Sequence, residues 1–147
     1  MPFVSQKQRK WMLESIVDRA YLAGAIDGEG CIRIFHGKNG RNTNWIRHRA
    51  FLQVTNTNRI LPDWCKLITG MGFVRAIKPK NHKWKTRYDW IVQDGNAIDV
   101  IEAVLPYLKL KHSHASLLRD WFYGNEETLN AVTLFNTLNQ KGNAVQV

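Results

Sequence analysis

The chain has few of the features that mark secreted or membrane proteins. It contains two cysteines, Cys31 and Cys65, in 147 residues. Two cysteines are too few for a disulfide framework or a zinc cluster, so we expect buried thiols in a reducing, intracellular compartment. No apolar run reaches the ~20 residues that a membrane span needs, and residues 1–10 lack the apolar core of a signal peptide. We therefore expect no membrane partner.

Acidic residues are nearly absent from the middle of the chain. Residues 31–88 contain one acid, Asp63, and thirteen basic residues, whereas the whole chain carries a net charge of +9. So much local positive charge favours a polyanionic partner, and nucleic acid is the natural one. A hydrophobic content of 44% with six tryptophans predicts a folded chain, and residues 1–147 fit one domain.

Hydrophobic periodicity predicts an alternation of helices and strands. We expect helices at 16–27, 58–69, 96–107, 113–123 and 126–140, a helix or turn at 6–14, strands at 31–36, 45–55, 73–78 and 86–93, and a turn at 37–42. Gly28 and Gly30 are expected to end the first long helix, and Asn58 and Asn96 to cap later ones. The fold class is α+β: a four-stranded antiparallel sheet with helices on one face, an αββαββα core over about 16–118, and C-terminal helices over about 113–140.

The strands alternate so that one sheet face is rich in arginine. Ile32 and Ile34 share one side of the first strand, whereas Arg33 and Phe35 share the other. A face that carries arginines, all of one sign, suits the DNA major groove, where long side chains reach base edges. The candidate DNA contacts are Arg33, Phe35, Arg47, Arg49, Gln53, Arg75, Lys78 and Lys83. The alternation leaves open whether Tyr88 and Trp90 face DNA or the core.

Residues 20–30 combine a small-residue stripe with acids at a helix end. Ala20, Gly24 and Gly28 recur every fourth position, so they lie on one side of a helix and allow close approach of a second helix. Asp27 and Glu29 follow at the C-terminus, where unpaired carbonyls already carry partial negative charge. Carboxylates are unfavourable there unless a cation binds, so this end reads as half of a metal site; a simple glycine cap is the alternative.

His112 and His114 form a second, weaker metal motif. A tetrahedral zinc site needs four ligands, and the chain offers no second ligand pair. We therefore favour a turn or helix start that contacts DNA phosphate at these residues.

The segment Leu22 to Gly30 (LAGAIDGEG) resembles the motif that names the LAGLIDADG homing endonucleases. Two further segments resemble the same family: 52–56 (LQVTN) and 105–111 (LPYLKLK). The resemblance covers about residues 21–118 and is to the single-motif members that act as homodimers. It implies a site-specific endonuclease for intron homing that cleaves both strands of a long, near-palindromic DNA target.

The resemblance also implies residue roles. It places Ala20, Gly24 and Gly28 at the dimer interface, assigns Glu29 and the Gly28 carbonyl as ligands of Mg²⁺, and makes Glu29, Asn56 and Lys111 catalytic; Asp27 is structural. Magnesium chemistry suits phosphodiester hydrolysis and needs only one or two carboxylates with phosphate. Since one chain supplies one such acid, dimerisation becomes part of the mechanism. No small-molecule cofactor beyond the metal is expected.

Two other functions use the same basic scaffold. The first is a nucleic-acid binder that does not cleave, either an intron maturase or a DNA-binding regulator. The second is a basic dimer that binds RNA. An acid beside phosphates has no use in a pure binder, so Glu29 together with Asn56 and Lys111 favours the nuclease.

Overall fold

Four antiparallel strands lie at the centre of the computed structural model, which describes residues 15–38 and 46–139. In chain order the helices are α1 Ile16–Glu29, α2 Ile60–Thr69, α3 Asp94–Val104, α4 His112–Phe122 and α5 Thr128–Leu138, and the strands are β1 Gly30–Lys38, β2 Ile46–Asn56, β3 Phe73–Ile77 and β4 Arg87–Gln93. The strand order is β1-β2-β4-β3. The α+β class and the αββαββα order are confirmed. The element expected at 6–14 and most of the turn expected at 37–42 lie outside the described residues.

One face of the sheet carries the hydrophobic core. Ile32, Leu52, Val54 and Val92 point from the strands towards the helices and are almost fully buried. Trp90 joins them with no exposed surface, and its indole N–H donates to the Met71 carbonyl at 2.9 Å. Trp90 is therefore a core residue. Burying a large aromatic whose polar atom is satisfied is among the larger single contributions to such a core.

The helix α1 runs two residues further than the sequence predicted. Ser15 caps its start, where the hydroxyl accepts from the Asp18 N–H at 3.2 Å. At the other end the Gly30 N–H bonds to the Ile26 carbonyl, so the helix continues through Gly28 to Glu29. A Cβ at Gly30 would lie 2.5 Å from that carbonyl oxygen. The expectation that Gly28 ends the helix is wrong; Gly30 is the residue that the helix end requires.

Other helix starts also differ from the expectation. The helix α2 is expected from residue 58 and begins at Ile60, but Asn58 does make the expected capping contact: its side-chain oxygen accepts from the Ile60 N–H at 2.9 Å. The helix α3 begins at Asp94, not at Asn96, and Asp94 adopts a φ of 56°, in the left-handed region. After α3 the chain forms a short 3₁₀ turn, Leu105–Tyr107, because Pro106 cannot continue the α-helical hydrogen bonds.

The helix α4 packs against α3 and β1, and α5 packs against α4 and β1, so that both extend the core. Ala115 and Leu118 of α4 and Ala131 and Phe135 of α5 are buried. Within the described residues, no helix is long and apolar enough to cross a membrane.

Candidate active site and nucleic-acid interface

The tip of α1 presents a carboxylate with no protein partner. Glu29 is the last residue of the helix and is exposed, and the last turn holds no basic residue. Within 15–38 and 46–139, the Glu29 carboxylate makes no hydrogen bond or ion pair. Because the helix C-terminus already carries partial negative charge, an acid at this position favours a bound cation.

Asp27, two residues earlier, is used differently. Its carboxylate accepts from three consecutive backbone N–H groups, those of Lys109, Leu110 and Lys111, at 2.7, 3.2 and 2.9 Å. Hydrogen bonds from several N–H groups hold a carboxylate firmly. Asp27 therefore fastens the segment before α4 to the end of α1.

This attachment carries Lys111 to the tip of α1. The Lys111 ammonium donates to the Asp27 backbone carbonyl at 2.9 Å, one helical residue away from Gly28. The positive charge of Lys111 also acts on Cys31, at the start of β1: burial raises the pKa of that thiol, and the charges of Arg33 and Lys111 oppose the rise. Lys111 thus lies where α1 passes into β1.

Asn56 ends β2 at the same end of the sheet. The register pairs Gly30 with Val54, so the last residues of β2 run alongside the junction of α1 and β1. The Asn56 side-chain oxygen accepts from the Asn58 N–H at 2.8 Å, which leaves its NH₂ group as the available donor. Lys111 therefore lies at the tip of α1, whereas Asn56, two residues beyond the Val54 that pairs with Gly30, lines a groove with Val17, Asp18 and Tyr21 of α1. In the part of the chain that the structure describes, no three His, Cys, Asp or Glu side chains cluster as a metal site.

The outer side of α1 is open. Ala20, Gly24 and Gly28 are exposed, and a Cβ at either glycine would meet nothing within 4 Å. Val17 and Tyr21, on the same side, are 79% and 62% exposed. A stripe of small residues beside exposed apolar ones leaves room for a second helix to approach closely.

The sheet face opposite the helices carries the arginines. The register places Arg33 beside Phe51, Phe35 beside Arg49 and Arg75 beside Asp89, so these residues share one face. Arg47 and Gln53 lie two residues from Arg49 and Phe51 on β2, so they share this face. Lys78 and Lys83 are exposed in the loop between β3 and β4, at the edge of this face. We call this surface, with its Arg33, Arg47, Arg49, Arg75 and Arg87, the open face.

Aromatic rings support one of the arginines. The Arg33 guanidinium lies 4.7 Å from the Phe51 ring centre and 5.3 Å from that of Phe35, and the two rings stack at 5.8 Å. Phe51 is 4% exposed although it lies on the open face. Cation–π contacts of this kind hold a guanidinium in place without consuming its N–H donors.

The open face is not all of one sign, contrary to the expectation from sequence. Asp89 is fully buried on it, and Arg75 and Arg87 both contact its carboxylate. Asp94 lies 3.8 Å from Arg47 and 3.9 Å from Arg49, and Arg49 also donates to the Gln93 side-chain oxygen at 3.1 Å. Sequence reasoning missed Arg87 and Asp89. The alternation on either side of Trp90 would have placed both on this face.

Tyr88 lies on the helix side of the sheet, and His112 and His114 lie on α4. Tyr88 shares the helix side of β4 with Trp90, and the Arg59 guanidinium lies 5.4 Å from its ring centre. His112 is exposed at the start of α4, whereas His114 contacts the Asn139 side chain at 3.1 Å. Burial lowers the pKa of His114. The two histidines therefore have different surroundings.

The two thiols differ in burial. Cys65 is buried, and desolvation raises its pKa to about 12, whereas Cys31 is only partly buried. The expectation of two buried thiols holds for Cys65 alone.

Comparison with solved structures shows where this fold occurs. The homing endonuclease I-CvuI, in complex with DNA, superposes with a TM-score of 0.67 at 24% identity over 86% of this chain and 85% of that one. The archaeal intron-encoded homing endonuclease I-Vdi141I, also complexed with DNA, gives 0.65 at 18% identity over 85% and 86%. The LAGLIDADG homing endonuclease I-GzeII gives 0.55 at 16% identity over 88% of this chain and 40% of that one. No protein-family profile and no curated protein sequence matches the chain.

Proposed function

We propose that this chain, which has the LAGLIDADG homing endonuclease fold, is a site-specific DNA endonuclease for intron homing. It acts as a homodimer, depends on Mg²⁺ and cleaves both strands of a long, near-palindromic target. The observation that carries the proposal is the exposed Glu29 carboxylate, which has no partner among the described residues and stands at the C-terminus of α1. The DNA complexes of I-CvuI and I-Vdi141I support the DNA partner.

The residues at the tip fit a hard divalent cation. Glu29 and the Gly28 carbonyl offer oxygen ligands, and Mg²⁺ is bound in proteins by one or two carboxylates together with phosphate and water. The last turn of α1 itself holds no basic residue, and the Glu29 carboxylate has no partner among the described residues. When bound, Mg²⁺ supplies charge neutralisation at the scissile phosphate and a more acidic water.

The side chains around the tip supply the other functions. Lys111 reaches the end of α1 with its ammonium group, where it can donate to a phosphate oxygen as negative charge develops. The side-chain oxygen of Asn56 accepts from the Asn58 N–H, so its NH₂ group would be the donor for a water or a phosphate oxygen. Glu29 holds the cation, and the open face holds the DNA in register.

A homodimer follows from the number of acids and from the open side of α1. One chain supplies one carboxylate at the tip, and a two-fold axis along α1 brings a second one to the same place. Gly24 and Gly28 have no neighbouring atom within 4 Å of a Cβ, which leaves the space that a second copy of α1 needs. This chain spans 40% of I-GzeII, so a protein of that length has room for two units of this size.

The proposal is tested by selection for cleavage. A DNA library of randomised near-palindromes is incubated with the full chain in Mg²⁺, in Mn²⁺ or with a chelator, and cut ends are captured and sequenced. We expect cuts in both strands at one family of related sequences, with metal only. Selective binding without cleavage in either metal would show that the chain is a DNA binder that does not cleave. Tighter binding to RNA than to every DNA duplex would contradict both functions.

A further inference from the structure

Asp89 is a buried carboxylate in the middle of a surface that is otherwise basic. Its side chain has no exposed area, yet β4 directs it away from the helices and the core. A buried carboxylate is costly unless charged and polar partners compensate it. The proposed cleavage chemistry at the tip of α1 makes no use of Asp89, so its place needs another explanation.

Two cross-strand partners, Thr55 and Arg75, and one neighbour on β4 itself, Arg87, surround this carboxylate. The Thr55 hydroxyl donates to one oxygen at 2.8 Å, Arg87 lies 3.3 Å from the same oxygen, and Arg75 donates to the other at 3.2 Å. Thr55 and Arg75 are the residues paired with Asp89 in the two neighbouring strands. The carboxylate therefore joins β2, β3 and β4 across the open face.

Both arginines contact Asp89 through the Nε atom. Arg75 and Arg87 each face Asp89 with Nε, and their side chains remain 47% and 50% exposed. The terminal Nη1 and Nη2 groups make no hydrogen bond or ion pair with a second residue among those described. Two terminal N–H groups of one guanidinium match the O6 and N7 acceptors of guanine in the major groove.

The contact extends to a glutamine on β2. Gln53 donates from Nε2 to the Thr55 hydroxyl at 2.7 Å, and that hydroxyl gives its own proton to Asp89. Gln53 is a candidate base contact, because glutamine pairs with adenine edges. One carboxylate thus fixes the rotamers of side chains on three strands.

We propose that Asp89 is a positioning residue for base recognition: it holds Arg75 and Arg87 with their terminal donors outward, and through Thr55 it couples them to Gln53. The inference rests on the proposed DNA recognition by the open face. It adds that these side chains recognise bases as one unit, so their preferences for neighbouring base pairs are coupled.

Simple electrostatics predicts a different result when this acid is removed. An acid on a DNA-binding face repels phosphate, so Asp89→Asn alone should tighten binding to every sequence. If Asp89 positions the arginines, the same substitution releases two guanidinium groups from their fixed rotamers. Discrimination then falls at particular base pairs while affinity for unrelated DNA stays level or rises.

The experiment measures binding to the selected target and to every single-base-pair variant of it, with a chelator present to prevent cleavage. The variants are Asp89→Asn, Arg75→Ala and Arg87→Ala. The control is Asp120→Asn, which removes an acid that pairs with Arg119 on α4 at 3.5 Å, away from the open face. We expect Asp89→Asn to lose ~10-fold discrimination at the base pairs where the two arginine variants lose it, and Asp120→Asn to lose none.

A double variant tests the coupling. Once Arg75 is replaced by alanine, adding Asp89→Asn should cost no further discrimination at the Arg75 base pairs. If Asp89→Asn does not fold, Thr55→Val interrupts the same contacts from β2 and should lower discrimination at the Gln53 base pairs. Unchanged preferences, or a uniform loss at all positions, in a folded variant would overturn the inference. A wild-type chain without sequence preference would overturn the proposed DNA recognition instead.

Discussion

The tip of α1 and the open face of the sheet both carry acids, but they use them in opposite ways. At the tip, Glu29 is exposed and has no partner among the described residues. On the open face, Asp89 and Asp94 each contact two arginines. An unpaired carboxylate is available to a metal ion, whereas a paired one organises the cations around it. Under the proposed function, a carboxylate therefore serves chemistry in one region and recognition in the other.

The largest expected effect is the loss of cleavage when the carboxylate at the tip of α1 is neutralised. Glu29→Gln keeps the shape of the side chain and removes its charge. Charge stabilisation by a bound metal is worth several kcal/mol, so we expect cleavage in Mg²⁺ to fall by ~1,000-fold or more. Binding to the target should stay level or tighten slightly, because an acid near phosphate is lost.

Single-turnover cleavage and equilibrium binding on the same DNA measure both quantities. Glu127→Gln is the control, since Glu127 is an exposed acid before α5 that makes no capping hydrogen bond. Cleavage by the Glu29 variant at the wild-type rate would show that the metal assignment is wrong.

The next effect concerns how two tips meet. Gly24→Leu places a bulky side chain where the folded chain leaves open space, so the fold of one chain should tolerate it. Overpacking at a close helix interface typically costs ~1–3 kcal/mol, so the dimer should weaken by about one or two orders of magnitude. Analytical ultracentrifugation measures dimer dissociation. The control is Asn130→Leu, which adds the same side chain at an exposed position of α5. A wild-type monomer both free and on DNA would contradict the proposed dimer.

The smallest effects divide the basic residues into two kinds. Arg47 lies on the open face, and Arg47→Ala should lose ~1–3 kcal/mol of discrimination at particular base pairs. Lys83 lies in the exposed loop beyond β3, and Lys83→Ala should weaken binding to all sequences and lower the salt slope by about one. Binding to a substituted target series at several salt concentrations separates the two outcomes. Equal, sequence-independent losses from both variants would mean that the open face does not read bases.

The sheet was predictable because period-two alternation determines which strand residues share a face. Ile32 and Ile34 fall in the core and Arg33 on the open face, as the alternation of β1 predicts. The residues around the tip were less accessible from local patterns. Asp27 bonds to N–H groups 82 to 84 residues away, and no local pattern encodes that contact.

The two acids of the open face show the same limit. Asp89 becomes buried only because β3 and β2 both bring partners to it, and that depends on the pairing of three strands.

The end of α1 depends on the space beside the Ile26 carbonyl, which excludes a Cβ at Gly30 but not at Gly28. Propensity rules treat the two glycines alike, and the surrounding atoms distinguish them.

If the tip of α1 cleaves DNA and the open face recognises bases, one paired measurement separates the two functions. Glu29→Gln and Arg47→Ala are profiled on the same library of target variants, for binding and for cleavage at saturating protein. We expect Glu29→Gln to lose cleavage and keep every base preference, and Arg47→Ala to change its preferences and cut its best sequence at close to the wild-type rate. Loss of cleavage and of preference together in both variants would contradict this separation of functions.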